Sequence, residues 1–122
     1  MSFATCLNCM DGRVQEPLIS WIKENSGVEY VDMITEAGIV GIIAKENSDI
    51  ESILKKIDIS LEKHGSKNIF VSGHYDCAGN PVEEDMHKQD INNSVERIKK
   101  LREGVGVVGL WVDDKWKVEK IT

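Results

Sequence analysis

This chain of 122 residues lacks any long hydrophobic run; its longest uncharged apolar stretch, Ala37 to Ala44, is closed off by Glu36 and Lys45. A membrane-spanning helix needs ~20 apolar residues, so no membrane partner is expected. Basic charge is in deficit as well. Lys and Arg number 15 against 21 Asp and Glu, a net charge of −6, and binding to a phosphate backbone demands the opposite balance. No nucleic-acid partner is expected. Proline occurs twice, and neither a Ser/Gly linker nor an internal repeat interrupts the chain, so residues 1–122 are expected to form one domain. Cysteine is scarce and odd in number: Cys6, Cys9 and Cys77 are too few for a disulfide framework. Met1 to Cys6 shows no basic segment leading into an apolar one, so a cytoplasmic setting is expected. Thiols there serve metal or redox chemistry rather than bridging. The three tryptophans, Trp21, Trp111 and Trp116, are too dispersed for a stacking platform.

What is present suffices for a core. Apolar residues make up 41% and charged residues 30%, the balance of a folded domain rather than a disordered one. Folding a chain of this length leaves roughly 6,600 Å² accessible out of about 19,900 Å², so no covalent staple is needed. Phe3 to Cys9 alternates, with Phe3, Thr5, Leu7 and Cys9 on one face, and reads as a first strand ended by Asp11-Gly12. Pro17 suits the first turn of a helix whose stripe is Leu18, Ile19 and Ile22 and whose end is Ser26-Gly27. Val28 to Thr35 reads as a second strand. Ser48 and Glu51 match a capping box, and Ile50, Ile53, Leu54, Ile57 and Leu61 follow at helical spacing as far as Gly65. Asn68 to Gly73 is a short buried strand. Glu83 to Glu103 is a helix with Met86, Ile91, Val95, Ile98 and Leu101 on one face. Val105 to Asp113 is another buried strand, and Lys115 to Glu119 a short antiparallel edge. Ile39 to Ala44 fits either a buried helix or a contact between subunits. The order β-α-β-α-β-α-β-β predicts an α/β fold, a mostly parallel sheet flanked by helices.

In such sheets chemistry gathers beyond the carboxyl ends of the strands. Cys9 follows the first strand, and His74 and Cys77 follow the third, so residues far apart in sequence are expected on one sheet edge. Two thiolates and an imidazole suit tetrahedral zinc and leave the fourth position open, the catalytic pattern. Zinc lowers the pKa of its bound water toward neutrality. Two anionic thiolates blunt that effect, so a neighbour accepting a hydrogen bond from the water gains importance. Asp11 is near enough in sequence to Cys9 for that task, and Arg13 is placed to keep it ionised and aimed.

Cys9-Met10-Asp11-Gly12-Arg13 and Gly73-His74-Tyr75-Asp76-Cys77 resemble the two signatures of the β-class carbonic anhydrases, Cys-x-Asp-x-Arg after the first strand and His-x-x-Cys after the third. Glu36-Ala37-Gly38 resembles that family's Asn-Ala-Gly element with its first residue changed, and Ala78 stands where a glycine usually follows. The chain is similar above all to a short, divergent branch of the family. The resemblance implies a β-carbonic anhydrase-like fold in which Cys9, His74 and Cys77 bind zinc. It implies that Asp11 either accepts a hydrogen bond from zinc-bound hydroxide or takes the fourth position itself, and that Arg13 holds Asp11 off the metal. The implied reaction is the reversible hydration of carbon dioxide to bicarbonate, carried out by a homodimer or higher homo-oligomer. Two alternatives stand beside it: a non-catalytic zinc-binding or regulatory domain of the same fold, and a zinc hydrolase of carbonyl sulfide or carbon disulfide.

Other residues have plainer readings. Cys6 and Cys9 could form a redox pair, but such a motif should open a helix, whereas Cys6 lies within a strand and faces away from Cys9. Cys6 is expected in the core. His64 is expected to cap the negative end of its helix. His87 is expected to be solvated, with a proton relay as the alternative. Asp76 reads either as an acidic loop residue or as a partner to a ligand. Trp111 is expected in the sheet core, and Trp116 as support for a dimer edge.

Overall fold

The computed structural model describes residues 1–122. The elements in chain order are β1 (Phe3–Asn8), α1 (Gly12–Ser26), β2 (Tyr30–Thr35), α2 (Ile39–Ile43), α3 (Glu51–Glu62), β3 (Asn68–His74), α4 (Glu84–Leu101), β4 (Gly106–Val112) and β5 (Val118–Lys120). They build one sheet in the order β2-β1-β3-β4-β5, parallel through β4 and antiparallel between β4 and β5. The mostly parallel α/β sheet with an antiparallel C-terminal edge is thus the observed architecture. β2 and β3 lie on opposite sides of β1, so the strand order reverses between β1 and β3, where open α/β sheets form their crevice. Cys6 pairs with Phe70 and Leu7 with Val71. Continuing that register brings Cys9 level with Gly73, next to His74.

The alternation of each strand divides the core into two layers. Leu7, Ile34, Ile69, Val71 and Trp111 pack with the apolar faces of α2, α3 and α4. Ala4, Cys6, Phe70, Leu110 and Val112 pack on the other face with Val14, Leu18 and Ile22 of α1. Each fully buried aliphatic side chain contributes roughly 1.5–3 kcal/mol, which ties the helices to the sheet and fixes where the loops leave it. Cys6 and Trp111 are in the core, as expected, at 0% and 2% exposure.

Several local expectations give way to the structure. α1 opens at Gly12, before Pro17, because the Asp11 carboxylate accepts the Arg13 backbone N–H at 2.9 Å and caps the helix. Pro17 therefore stands inside the helix, where it leaves the Arg13 carbonyl without its usual donor. No capping box joins Ser48 and Glu51. The Ser48 hydroxyl faces the carbonyls of Ile42 and Lys45 at 2.6 and 2.7 Å, while the Asp49 carboxylate accepts the Glu51 N–H at 3.0 Å. His64 does not cap α3. Its Nδ1 lies 2.7 Å from the Asp32 carboxylate and its ring stacks on Phe3. Ile39 to Ala44 is a buried helix, with Ile39, Val40 and Ile43 at 1% exposure or less. On α4 the buried line is His87, Ile91, Ser94, Val95 and Ile98, whereas Met86 and Leu101 are 54% and 40% exposed.

Candidate metal centre

Cys9 leaves the end of β1, and His74 closes β3 beside it. The chain then has to turn back sharply to return Cys77 to the same place. Asp76 makes that turn with a left-handed backbone, φ 57°, and the Tyr75 N–H, donating to the Val112 carbonyl at 2.9 Å, fixes its start to β4. The outcome is a buried group in which Cys9 Sγ, His74 and Cys77 Sγ offer ligand atoms all within 4.8 Å of one another.

The two sulfurs are 3.9 Å apart. That is far beyond a disulfide bond of ~2.05 Å and close to the ~3.8 Å spanned by two Zn–S bonds of ~2.3 Å at a tetrahedral angle. His74 Nδ1 donates to the Tyr75 carbonyl at 2.7 Å, which fixes the tautomer and turns Nε2 inward. Nε2 is buried and has no hydrogen-bond partner. An orphaned imidazole nitrogen beside two thiols is what a soft divalent cation completes, so the residues present fit zinc. Burial, together with the neighbouring Cys9, pushes the Cys77 thiol up. Without a cation the pair therefore resists ionising twice, and a metal supplies the missing compensation.

Outer partners are in place. The Gly38 N–H donates to Cys9 Sγ at 3.5 Å, and backbone N–H groups of Gly79 and Asn80 face the Cys77 sulfur. These two loops touch backbone to backbone: a Cβ on Gly38 would sit 2.4 Å from the Gly79 carbonyl carbon and oxygen. Beneath the site lies His87, 2% exposed, its ring centroid 6.4 Å from that of His74 and 5.2 Å from that of Trp111. The solvated His87 expected from sequence is thus corrected. Burial, and His74 nearby, push it down to about 4. Its position at helical spacing from Ile91 could have given it away, but apolar character singled out the adjacent Met86.

Asp11 and Arg13 stand at the rim. Arg13 Nε and Nη2 donate to the Asp11 carboxylate at 3.0 and 2.7 Å, and this pairing holds Asp11 down at about 2. The same guanidinium reaches Asp76 and lies over the Trp116 ring. Trp116 is therefore engaged within its own chain, and Asp76 serves Arg13 rather than a ligand. A cavity of about 410 Å³ opens against His74, Tyr75, Cys77, Val82 and Trp111.

Over residues 1–122 the sequence matches a protein family described as "Putative carbonic anhydrase". No curated protein matches it significantly. Solved structures share its fold. The carbonic anhydrase from Streptococcus mutans is 16% identical, with a TM-score of 0.67 over 97% of this chain and 81% of that one. One of the two tetrameric β-carbonic anhydrases from Sordaria macrospora is 12% identical, with a TM-score of 0.69 over 99% and 81%. The carbonic anhydrase from Glaciozyma antarctica is 16% identical, with a TM-score of 0.63 over 97% and 81%.

Proposed function

The chain belongs to this putative carbonic anhydrase family, and from that membership we propose that it is a zinc-dependent lyase catalysing the reversible hydration of carbon dioxide to bicarbonate and a proton. The observation that carries the reading is the buried meeting of two thiols with the unpartnered His74 Nε2. Cys9, His74 and Cys77 would hold the ion. A zinc ion bound there supplies Lewis acidity that brings the acidity of water into the neutral range.

The chain's own residues do the rest. The Asp11 carboxylate, kept ionised by Arg13, accepts the hydrogen bond of the reacting water and orients it. Arg13 holds that carboxylate turned toward the start of α1, which keeps it from competing as a ligand. N–H groups of Gly38, Gly79 and Asn80 temper the charge on the two sulfurs. The cavity beside His74 and Cys77 admits a small neutral substrate. The three candidate ligands do not themselves select among small triatomic electrophiles, so a second reading keeps them and takes carbonyl sulfide or carbon disulfide.

One domain over residues 1–122 and a cytoplasmic setting belong to this proposal; no helix is long and apolar enough to cross a membrane. A homodimer or larger homo-oligomer is supported by the tetrameric relatives in Sordaria macrospora. It is also supported by the sheet face that α1 alone covers, where Trp21, Val31, Met33 and Val108 are only partly buried.

Stopped-flow carbon dioxide hydration across pH tests the function, on protein of determined zinc content with Asp11→Ala at matched zinc as control. Zinc-dependent turnover that rises with pH and collapses in the variant is expected. Full zinc without turnover would remove the lyase reading and leave the second substrate class or a binding role.

A further inference from the structure

Three groups converge on the guanidinium of Arg13. Asp11 takes Nε and Nη2, Asp76 accepts Nη1 at its carboxylate at 3.3 Å and Nη2 at its carbonyl at 3.2 Å, and Arg13 Cζ lies 4.5 Å from the centroid of the Trp116 ring. The three come from separate places: the start of α1, the loop between two of the ligands, and the hairpin joining β4 to β5. The backbone adds an independent observation. Asp76, φ 57°, and Trp116, φ 62°, are the two non-glycine residues of the chain with positive φ, and both land on Arg13. Such a conformation is uncommon, above all for a bulky residue, and persists where the surroundings over-determine it.

The hairpin supplies that determination. Asp113 Oδ1 accepts the backbone N–H groups of Lys115 and Lys117 at 2.9 Å each, and the Trp116 N–H donates to the Asp113 carbonyl at 3.0 Å. A left-handed residue re-aims its side chain relative to its neighbours, and here the re-aimed ring forms a floor under the guanidinium. The Asp76 carboxylate is 68% exposed, so its ion pair alone is weak. A flat aromatic face adds what a point charge lacks, because it sets the plane of the guanidinium and with it the direction of the two N–H bonds to Asp11.

We propose that Asp76 and Trp116 are positioning residues that clamp Arg13 and, through it, fix the Asp11 carboxylate in the orientation that hydration uses. This rests on the carbonic anhydrase reading above. The clamp itself is read without activity, from the Arg13 Nε–Hε resonance of zinc-loaded, ¹⁵N-arginine-labelled protein, assigned by its loss in Arg13→Lys. In the parent the Trp116 ring is expected to displace that signal upfield, and the bond to Asp11 to slow its exchange with water. Trp116→Leu is expected to abolish the displacement and speed exchange. The same variant should lower kcat about two- to five-fold, the size of an exposed cation–π contact, at unchanged KM and zinc content. Trp116→Phe, which keeps an aromatic face, is expected to restore both. Asp76→Asn, which tolerates a left-handed backbone, should loosen the signal and lower kcat less.

A Trp116→Leu protein with the parental signal overturns the clamp. One that loses the signal but keeps parental kcat overturns its link to Asp11. A parent that holds zinc without turnover overturns the functional reading instead and leaves the clamp to the Arg13 signal.

Discussion

Adding one methyl group at Gly38 should injure the metal centre out of proportion to its size. A Cβ there would lie 2.4 Å from both the carbonyl carbon and oxygen of Gly79 and 2.8 Å from the Asn80 nitrogen. All three are backbone atoms, so no side chain can swing aside. The loop after Cys77 has to retreat by about an ångström to reach ordinary carbon contacts of ~3.5–4.0 Å. Gly38 also has φ 60°, which costs a residue with a Cβ ~1–2 kcal/mol, and overpacking adds ~1–3 kcal/mol. The sum, roughly 2–5 kcal/mol, compares with a total stability on the order of 6–18 kcal/mol for a chain of this length. Gly38→Ala is therefore expected to fold but to melt about 10 °C lower.

The same shift reaches the site along two routes. The Gly38 N–H donates to Cys9 Sγ, and the displaced segment carries the N–H groups facing Cys77. Losing such outer partners typically lowers metal affinity ~10–100-fold, which competition with a chromogenic chelator measures directly. Gly12→Ala is the control: its Cβ meets nothing within 4 Å, so melting and zinc affinity should stay level or improve slightly. A Gly38→Ala protein that melts with the parent and holds zinc as tightly would refute the backbone contact and its role.

Cys77→Ser is expected to lose stoichiometric zinc, and added zinc should no longer raise its melting temperature, whereas the parent gains ~2.7 kcal/mol at a hundredfold excess over Kd. Asp11, held at about 2 by Arg13 against an ordinary 3.8, contributes on the order of 1 kcal/mol once solvent screening of the half-exposed Arg13 is allowed for, fully present above its unfolded pKa and lost as pH falls through about 2. Urea unfolding of metal-free protein should show this loss, and Asp11→Asn should flatten it. His87, pushed down to about 4 from 6.5, acts through the opposite charge: the unfolded chain takes up its proton first, so stability falls on the order of 3 kcal/mol from above pH 6.5 down to 4. His87→Leu should remove that slope, and an unchanged slope would count against the buried, neutral ring. Ser60 donates to Asp32 and accepts from Thr5 and Ser66, so Ser60→Ala, read by thermal melting, should cost ~1–3 kcal/mol through the partners it strands.

The parallel sheet was legible because its strands and helices carry different hydrophobic periods, and those periods depend only on neighbours along the chain. The candidate ligands were legible for a related reason: Cys9 and the pair His74 and Cys77 each end a strand, and adjacency of β1 and β3 does the rest. What stayed hidden depends on contacts across the chain. Ser48 and Glu51 have the residue types of a capping box, yet the turn before α3 offers the Ser48 hydroxyl two carbonyls, and the Glu51 N–H donates to the Asp49 carboxylate instead. His87 looks polar in a list of residue types, but its helical spacing from Ile91 puts it under Gly73, where a Cβ would come within 2.6 Å of its ring. The sign of φ at Asp76 and Trp116 leaves no trace in composition at all.

The glycines show how fold and site constrain each other at this point. A ligand set drawn from two strands needs a crevice at the strand-order reversal, and a crevice tends to admit water. Here Gly38 and Gly79 close it from behind by letting two loops meet without side chains, and Gly73 does the same for the His87 ring beneath. The three candidate ligands, Cys9, His74 and Cys77, are each 6% exposed or less as a result. Burial to that degree makes a second thiolate expensive without a cation, and it leaves His74 Nε2 unable to find water as a partner. A soft divalent ion held there would relieve both penalties together. If the site holds zinc as proposed, the close packing that should make Gly38→Ala destructive also favours the ion, and stability and zinc affinity should fall in parallel across substitutions at Gly38, Gly73 and Gly79.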